Sequence, residues 1–425
     1  MAITTRGRVA VALVSIGLIS AACSVNHDKP AASGGPIPAA PTTTDPHEFS
    51  GTDFYATPPA VAGAQHGDLV SYAPIPLAAG GLTNAKAWRI LYRSQAANAD
   101  KPIVVSGFVL APDAKATTPR PMVAWAHATV GSADKCAPSK TFTGVAPVAD
   151  SLKVGATLLA QFQSFIDAGD VVVATDYEGL GTEGPHPYLV GVSEGRGVLD
   201  SIVAVKQFTD LNAGDNAIIY GLSQGGQAAL FAGQLAASYT PGVKVAGVVA
   251  AAPFSEVDQL LPLAAAIPSV SQYYVLGIYG QAAGNASLHV ADVLDSAGLA
   301  QSSTVESQCL DEITKTLQGV LTASGKTSFM AGSPTTFADW KAQLASIVPG
   351  KQATGAPIFI AQGLDDATVP AGTTQTLVNR ICGLDRVAYK TYPKTGHGDS
   401  IVSADADIRS FVKDRLAGTA FVPAC

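Results

Sequence analysis

Residues 215–237 read DNAIIYGLSQGGQAALFAGQLAA, an apolar run that turns through Gly-x-Ser-x-Gly into an Ala-rich stretch. The compact run at 217–220 predicts a buried strand, and the Ala-rich segment after it a helix. A G-x-S-x-G corner between strand and helix holds the serine in a strained turn, its hydroxyl exposed and the next backbone N–H aimed at the oxygen that becomes negative. Ser223 is therefore the candidate nucleophile. Gly221 and Gly225 are expected where any side chain would strike the neighbouring strand or helix.

The motif alone decides little, because a chain with 42 glycines in 425 residues should hold on the order of a few tenths of a match by chance. A second copy, GVSEG, occupies 191–195. Before it stands PHPYLVG, whose two prolines cannot both sit in a central strand. Ser193 is accordingly read as the N-cap of a helix reaching to about Thr209, with Val198, Leu199, Ile202 and Val205 on one face.

Outward from this stretch, a hydrophobic content of 47% with 14% charged residues provides a core large enough for one big domain and an insertion. The net charge of −7 and pI near 5.5 leave no basic footprint, so nucleic acid is not an expected partner. The amino terminus carries Arg6 and Arg8, an apolar run over 9–19, then Ser20, Ala21, Ala22 and Cys23, the layout of a secretory signal over 1–22. Small residues ahead of Cys23 suit a bacterial lipoprotein signal, in which that cysteine is lipidated, although Ser20 stands where leucine is usual. Residues 23–50, rich in Pro, Ala and Thr, read as a spacer behind such an anchor.

Strand-like runs DLVSYAPI, KAWRILYRSQ and PIVVSGFVLAP follow, the last two as a hairpin. From PMVAWAHATVG onward strands alternate with helices, near 148–168, after Ser193, after Ser223, near 373–381 and near 404–416. That alternation predicts an α/β fold with a mostly parallel sheet covered on both faces. Residues 51–254 and 351–425 form the expected catalytic domain. Residues 255–350 break the rhythm with LLPLAAAIP, ASLHVADVLDSAG and TVESQCLDEITKTLQGVLTA, read as successive helices of a cap on the C-terminal edge of the sheet.

A serine nucleophile needs a base, and the base a carboxylate, in the chain order Ser, Asp or Glu, His on this fold. Only His289 and His397 follow Ser223. His289 falls in the cap and reads as an ordinary packed or surface histidine, whereas His397 sits in the Gly-flanked loop YPKTGHGDS between a strand and the last helix. The acid should follow APIFIAQG, where LDDATVP offers Asp365 and Asp366. Adjacent side chains point apart, and the G-x-x-D-x-x-V-P register selects Asp366, leaving Asp365 a turn role. The oxyanion donors are expected to be the backbone N–H groups of Gln224 and Ala128. His127, ahead of Ser223 in the chain, is read as a structural hydrogen-bonding residue. Asp176, Tyr177 and Glu178, at a strand end beside the site, are read as bracing or loop hydrogen-bonding groups. Besides Cys23, the cysteines are Cys136, Cys309, Cys382 and Cys425; an exported protein would join them in two disulfides, with three pairings open. None is in C-x-x-C spacing, so no metal is expected, and the triad needs no cofactor.

WAHATVG followed by CAPS, DYEGLGTEGPHPYLVG with SEGRGVLD, GLSQGG, QGLDDATVP and TGHGD, in that order, resemble the bacterial branch of the secretory lipases over about residues 65–425. The resemblance implies an α/β-hydrolase fold with a helical lid, a triad of Ser223, Asp366 and His397, and ester hydrolysis. It also implies disulfides Cys136–Cys309 and Cys382–Cys425, the first tying the oxyanion loop to the cap. Ala128 stands where relatives often carry proline or glycine. The expected protein is an exported esterase or lipase acting on lipid or small-molecule esters, monomeric, and either membrane-associated through a lipid anchor at Cys23 or cleaved and released. Acyl transfer to an alcohol would use the same acyl-enzyme; a lipid-binding envelope protein would need no intact triad.

Overall fold

The computed structural model describes residues 47–56, 64–98, 101–144 and 154–425. The expected signal segment, Cys23 and most of the spacer lie outside them. Among the described residues nine strands form one sheet: β1 (Leu69–Pro74), β2 (Ala85–Gln95), β3 (Pro102–Pro112), β4 (Arg120–Ala126), β5 (Val171–Thr175), β6 (Ala213–Leu222), β7 (Lys244–Ala251), β8 (Ile358–Gly363) and β9 (Val387–Tyr392). Their order is β1-β2-β3-β5-β4-β6-β7-β8-β9, parallel from β5 to β9 and antiparallel through β1, β2 and β3. The expected hairpin is β2 with β3, paired from Ala85↔Pro112 to Gln95↔Pro102. Residues 47–49, assigned from sequence to the spacer, hydrogen-bond to Tyr72 of β1.

The helices are α1 (Pro138–Thr141), α2 (Gly155–Asp167), α3 (Gly191–Val205), α4 (Gln224–Tyr239), α5 (Val257–Ala266), α6 (Ser271–Gly284), α7 (Ser296–Leu299), α8 (Ser302–Ser307), α9 (Leu310–Ser324), α10 (Ala338–Ser346), α11 (Ala371–Ile381), α12 (Asp399–Ser403) and α13 (Asp405–Leu416). Strands buried on both faces read as unbroken apolar runs, yet their side chains still alternate. In β6, Ala217 and Ile219 join a core with Val198 and Ile202 of α3 and Ala228 of α4. Ile218, Tyr220 and Leu222 join the opposite core, with Phe162 of α2 and Phe411 of α13. Burying each such aliphatic or aromatic side chain contributes about 1.5–3 kcal/mol.

Between β7 and β8 the chain builds a third core from Leu260 and Leu261 of α5, Tyr274 and Val275 of α6, Leu317 of α9 and Trp340 of α10. Arg380 of α11 bridges the two ends of this insertion, donating to Glu256 Oε2 at 3.1 Å and to Pro349 O at 3.2 Å. Sequence periodicity misread parts of it. Residues 286–298 are not one helix: Val293 O accepts from Tyr274 Oη at 3.0 Å and from the Ala331 N–H at 2.9 Å, and only α7 forms, with the Asp295 side chain accepting from the Gly298 N–H at 2.8 Å. Tertiary partners thus take a carbonyl that a helix would need. The helical run through TVESQC breaks at Gln308 and Cys309 between α8 and α9. α6 escaped notice because it is buried on nearly every side and shows no amphipathic stripe. His289 is exposed, ahead of a short 3₁₀ turn.

The helix after the second G-x-S-x-G also differs from expectation. α3 starts at Gly191 with Val190 as its N-cap, so Ser193 lies inside the first turn and donates its hydroxyl to Glu178. Early glycines permit this start. A Cβ on Gly191 would lie 2.1 Å from the Phe231 ring, and one on Gly195 2.9 Å from Ala232 N, so this end of α3 can lie directly against α4.

Candidate active site

β6 delivers Leu222 to the edge of the sheet, and the chain reverses at once into α4. Ser223 takes φ 60° and ψ −118°, a conformation costing about 1–3 kcal/mol in a residue with a Cβ. The turn is held by the Ser223 N–H on Ala251 O at 2.9 Å and by Ser223 O, which accepts from Phe254 and Gln227, each at 3.1 Å. A Cβ on Gly221 would sit 2.0 Å from Gly225 O, and one on Gly225 1.9 Å from Ala126 O. Both glycines are required by backbone on the far side.

Two further strand ends converge on this corner. β8 ends at Gly363, and the next loop turns Asp366 inward while leaving Asp365 exposed. Asp366 Oδ1 accepts the Thr368 and Val369 N–H groups at 2.9 and 2.7 Å, and Oδ2 accepts Gln362 Nε2 at 3.1 Å. The loop after β9 is stitched alongside, with the Asp365 N–H donating to Thr395 O at 3.0 Å. It carries His397, whose Nδ1 lies 2.7 Å from Asp366 Oδ2 and whose Nε2 lies 2.8 Å from Ser223 Oγ. Because Asp366 Oδ2 accepts, the proton belongs on Nδ1, and Nε2 is free to accept from the serine hydroxyl.

Gln224 is the first residue of α4, so its N–H is one of the donors a helix leaves without an internal acceptor. Ala128 follows β4 in the loop beyond His127. His127 is buried with its ring against Tyr177; its Nδ1 is 2.7 Å from Ala128 O, its Nε2 3.4 Å from Asp176 O, and burial pushes its pKa down to about 4. It is a neutral structural residue. Tyr177 donates its phenol to His127 O at 3.0 Å, and Asp176 accepts from Ser106 Oγ at 2.6 Å and from the Ser139 N–H at 2.9 Å. Tyr177 thereby braces the loop that carries Ala128, while Asp176 ties β3 and α1 to the end of β5. Burial pushes Asp176 up to about 6.

Cys136 and Cys309 form a disulfide with a Cα separation of 5.5 Å, as do Cys382 and Cys425 at 5.4 Å. The first links the loop after β4 to the start of α9, where the Leu310 N–H also donates to Val130 O at 2.9 Å. A cavity of about 500 Å³ opens between Ser132 and Asp134 of that loop, His186, and Tyr279 and Gly280 of α6. No group of His, Cys, Asp and Glu among the described residues could hold a metal ion. Sequence reading did not single out Gln362, His186 or Glu194; Gln362 stood in the quoted QGLDDATVP, and Glu194 inside the rival motif.

A mostly parallel sheet with a serine on the strand-to-helix turn of β6, and a carboxylate and histidine arriving from β8 and β9, defines an α/β hydrolase. The sequence profile of the secretory lipases matches residues 149–423, and the chain belongs to that family. It is 27% identical over 201 residues to lipase A of Moesziomyces aphidis and 31% identical over 201 residues to a secreted triacylglycerol lipase of Malassezia globosa. Each match covers 46% of this chain, and 41% and 34% of the two relatives, so the chain spans less than half the length of either. In fold it is similar to Candida antarctica lipase A, with TM-score 0.75 and 20% identity over 88% of this chain and 87% of that one. It also resembles the rice cell wall degrading esterase LipA of Xanthomonas oryzae, with TM-score 0.65 and 17% identity over 84% of this chain and 100% of that one.

Proposed function

We propose that this protein is an exported serine hydrolase of the lipase or carboxylesterase type, using Ser223, His397 and Asp366 as its triad. The observation that carries the reading is the continuous relay from Asp366 Oδ2 through the imidazole to Ser223 Oγ, at 2.7 and 2.8 Å. His397 Nε2 takes the serine proton as Oγ bonds to the ester carbonyl carbon. The charge that develops on the carbonyl oxygen faces the N–H groups of Ala128 and Gln224, donors worth about 3 kcal/mol each where one is removed. The tetrahedral adduct expels the alcohol, protonated from Nε2–H, and leaves an acyl-serine. Water, deprotonated by the same nitrogen, attacks that ester and releases the acid.

The helical insertion, residues 255–350, serves in this reading as a cap over the acyl chain, and the chain falls in the bacterial branch of its family. Family membership, the secreted M. globosa lipase to which the chain is similar, and two disulfides among the four cysteines after Cys23 support export. Cys23 is then the lipid anchor, and Cys23→Ala releases the protein from the membrane fraction. The deciding experiment is fluorophosphonate labelling with hydrolysis of p-nitrophenyl esters from acetyl to palmitoyl and of a triglyceride emulsion. Labelling and activity that both vanish in Ser223→Ala and persist in Ser193→Ala support the proposal. No labelling and no hydrolysis at any chain length refute it, and product formed only with added alcohol makes the enzyme a transferase.

A further inference from the structure

The GVSEG stretch that rivals the nucleophile motif supplies no group to the triad, yet its glutamate reaches the same corner. Glu194 lies in the first turn of α3 with no exposed surface. All the hydrogen bonds it receives fall on one oxygen: Oε1 accepts the Leu189 N–H at 3.0 Å and Gln224 Nε2 at 2.7 Å. Oε2 is buried and has no partner. The Gln224 amide also donates to His186 Nε2 at 3.2 Å, while His186 Nδ1 lies 2.8 Å from Glu178 O. An imidazole protonated on Nδ1 alone satisfies both contacts.

We propose that Glu194 and His186 are positioning residues that clamp the side chain of Gln224 and so hold its backbone N–H on the reacting carbonyl oxygen. This rests on the Ser223 reading above. A glutamine at the head of a helix has three free torsions and would otherwise sample several rotamers; the two bonds from its Nε2 fix one. The clamp works as an uncharged unit. With both accepted bonds on Oε1, the proton of the acid belongs on Oε2, where an orphaned hydroxyl is far less costly than an orphaned carboxylate oxygen. Burial pushes Glu194 up to about 8. The groups around it carry no compensating charge. His186 is pushed down to about 3 by burial and by His127 beyond it, and burial raises the phenols of Tyr177 and Tyr188 well above their usual range. Arg196, two residues further along α3, reaches Ala96 O and the Tyr239 ring, and Glu178 is held by Ser193 and the Ala97 N–H.

Ionisation of Glu194 above pH 8 therefore places a negative charge behind an oxyanion donor, where it opposes the charge of the transition state. The test is the pH dependence of kcat between pH 5 and 10 on a soluble short-chain ester followed by pH-stat, for wild type, Glu194→Gln, Glu194→Ala and Gln224→Met. Wild-type kcat is expected to fall along an alkaline limb centred near pH 8. Glu194→Ala and Gln224→Met lower kcat at pH 7 by about 10- to 100-fold, with KM held within about threefold. Glu194→Gln restores the neutral-pH kcat relative to Glu194→Ala and lacks the alkaline limb, because an amide accepts the same two N–H groups and does not ionise. A wild-type enzyme that is labelled by fluorophosphonate but shows no fall up to pH 10 overturns the inference. So does a folded Glu194→Gln with the wild-type limb, or full kcat in Gln224→Met. Failure of the Ser223 reading is distinguishable, since wild type would then not label at all.

Discussion

Replacing Asp366 by asparagine tests the relay most directly, because the consequence follows from the acceptors and donors around one carboxylate. Oδ1 accepts two backbone N–H groups, from Thr368 and Val369, and Oδ2 faces His397 Nδ1 and Gln362 Nε2. An asparagine with its oxygen in the Oδ1 position keeps both backbone bonds and turns its NH2 toward His397 and Gln362. The flipped amide sets an NH2 against two fixed N–H donors, losing two bonds and burying unpaired donors at about 1–3 kcal/mol each. The first orientation wins. It forces Nδ1 of His397 to become the acceptor and puts the ring proton on Nε2, facing Ser223 Oγ, so the base is gone while the geometry stays. In serine proteases the same exchange lowers kcat by about 10⁴-fold, which corresponds to about 5 kcal/mol of transition-state stabilisation. We expect Asp366→Asn to lose 10³- to 10⁴-fold in kcat/KM, as an order of magnitude, with an unfolding midpoint near that of wild type. Asp365→Asn, altering an exposed side chain, should stay within about twofold, as surface substitutions usually perturb little. The assay is p-nitrophenyl butyrate hydrolysis beside thermal denaturation. A loss below tenfold at Asp366, or a larger loss at Asp365, would refute the reasoning.

Other variants probe the scaffold that carries the relay. Gly225→Ala puts a Cβ 1.9 Å from Ala126 O, so it should displace the end of β4, lower stability by about 1–3 kcal/mol or more and abolish labelling of Ser223; an active, wild-type-stable variant would contradict the close approach. Opening Cys136–Cys309, which spans 173 residues, should cost up to about 5 kcal/mol, against about 4 for Cys382–Cys425 over 43. Only the first opening should also lower kcat, because that bridge holds the oxyanion loop; equal kcat losses in the two paired Cys→Ser variants would argue against this. Burial pushes Asp170 up to about 7, so the folded state holds a proton that the unfolded chain releases near pH 4, and wild-type stability falls as pH rises between those values. Asp170→Asn should therefore be more stable than wild type at pH 8 and converge with it at pH 4 in urea titrations. A constant difference across that range would remove the titration from Asp170.

The strand and helix around Ser223 and the chain order of Asp366 and His397 behind it were legible because each depends on local chemistry. An apolar run bounded by glycines, and a G-x-x-D-x-x-V-P register, are properties of neighbouring residues. The alternation of strands and helices carried the sheet for the same reason: a strand buried on both faces must be apolar along its length. Less legible were elements whose conformation is set at a distance. Residues 286–298 have a helical period but form little helix, since Val293 O is taken by Tyr274 and Ala331. α3 starts before Ser193 because glycines let it lie against α4, a contact no local window contains.

What the sequence by itself determined is the identity and chain order of the groups able to do chemistry, because these are written in residue type and spacing. Only the tertiary structure decided which of them meet. It brought Asp366, held by the Thr368 and Val369 N–H groups, within reach of His397 from a separate strand end. It reduced His127 to a neutral prop by burial. It also brought Glu194, from the second G-x-S-x-G copy, against the Gln224 side chain. Burial and the placement of hydrogen-bond partners are properties of surfaces brought together, and no stretch of chain carries them alone.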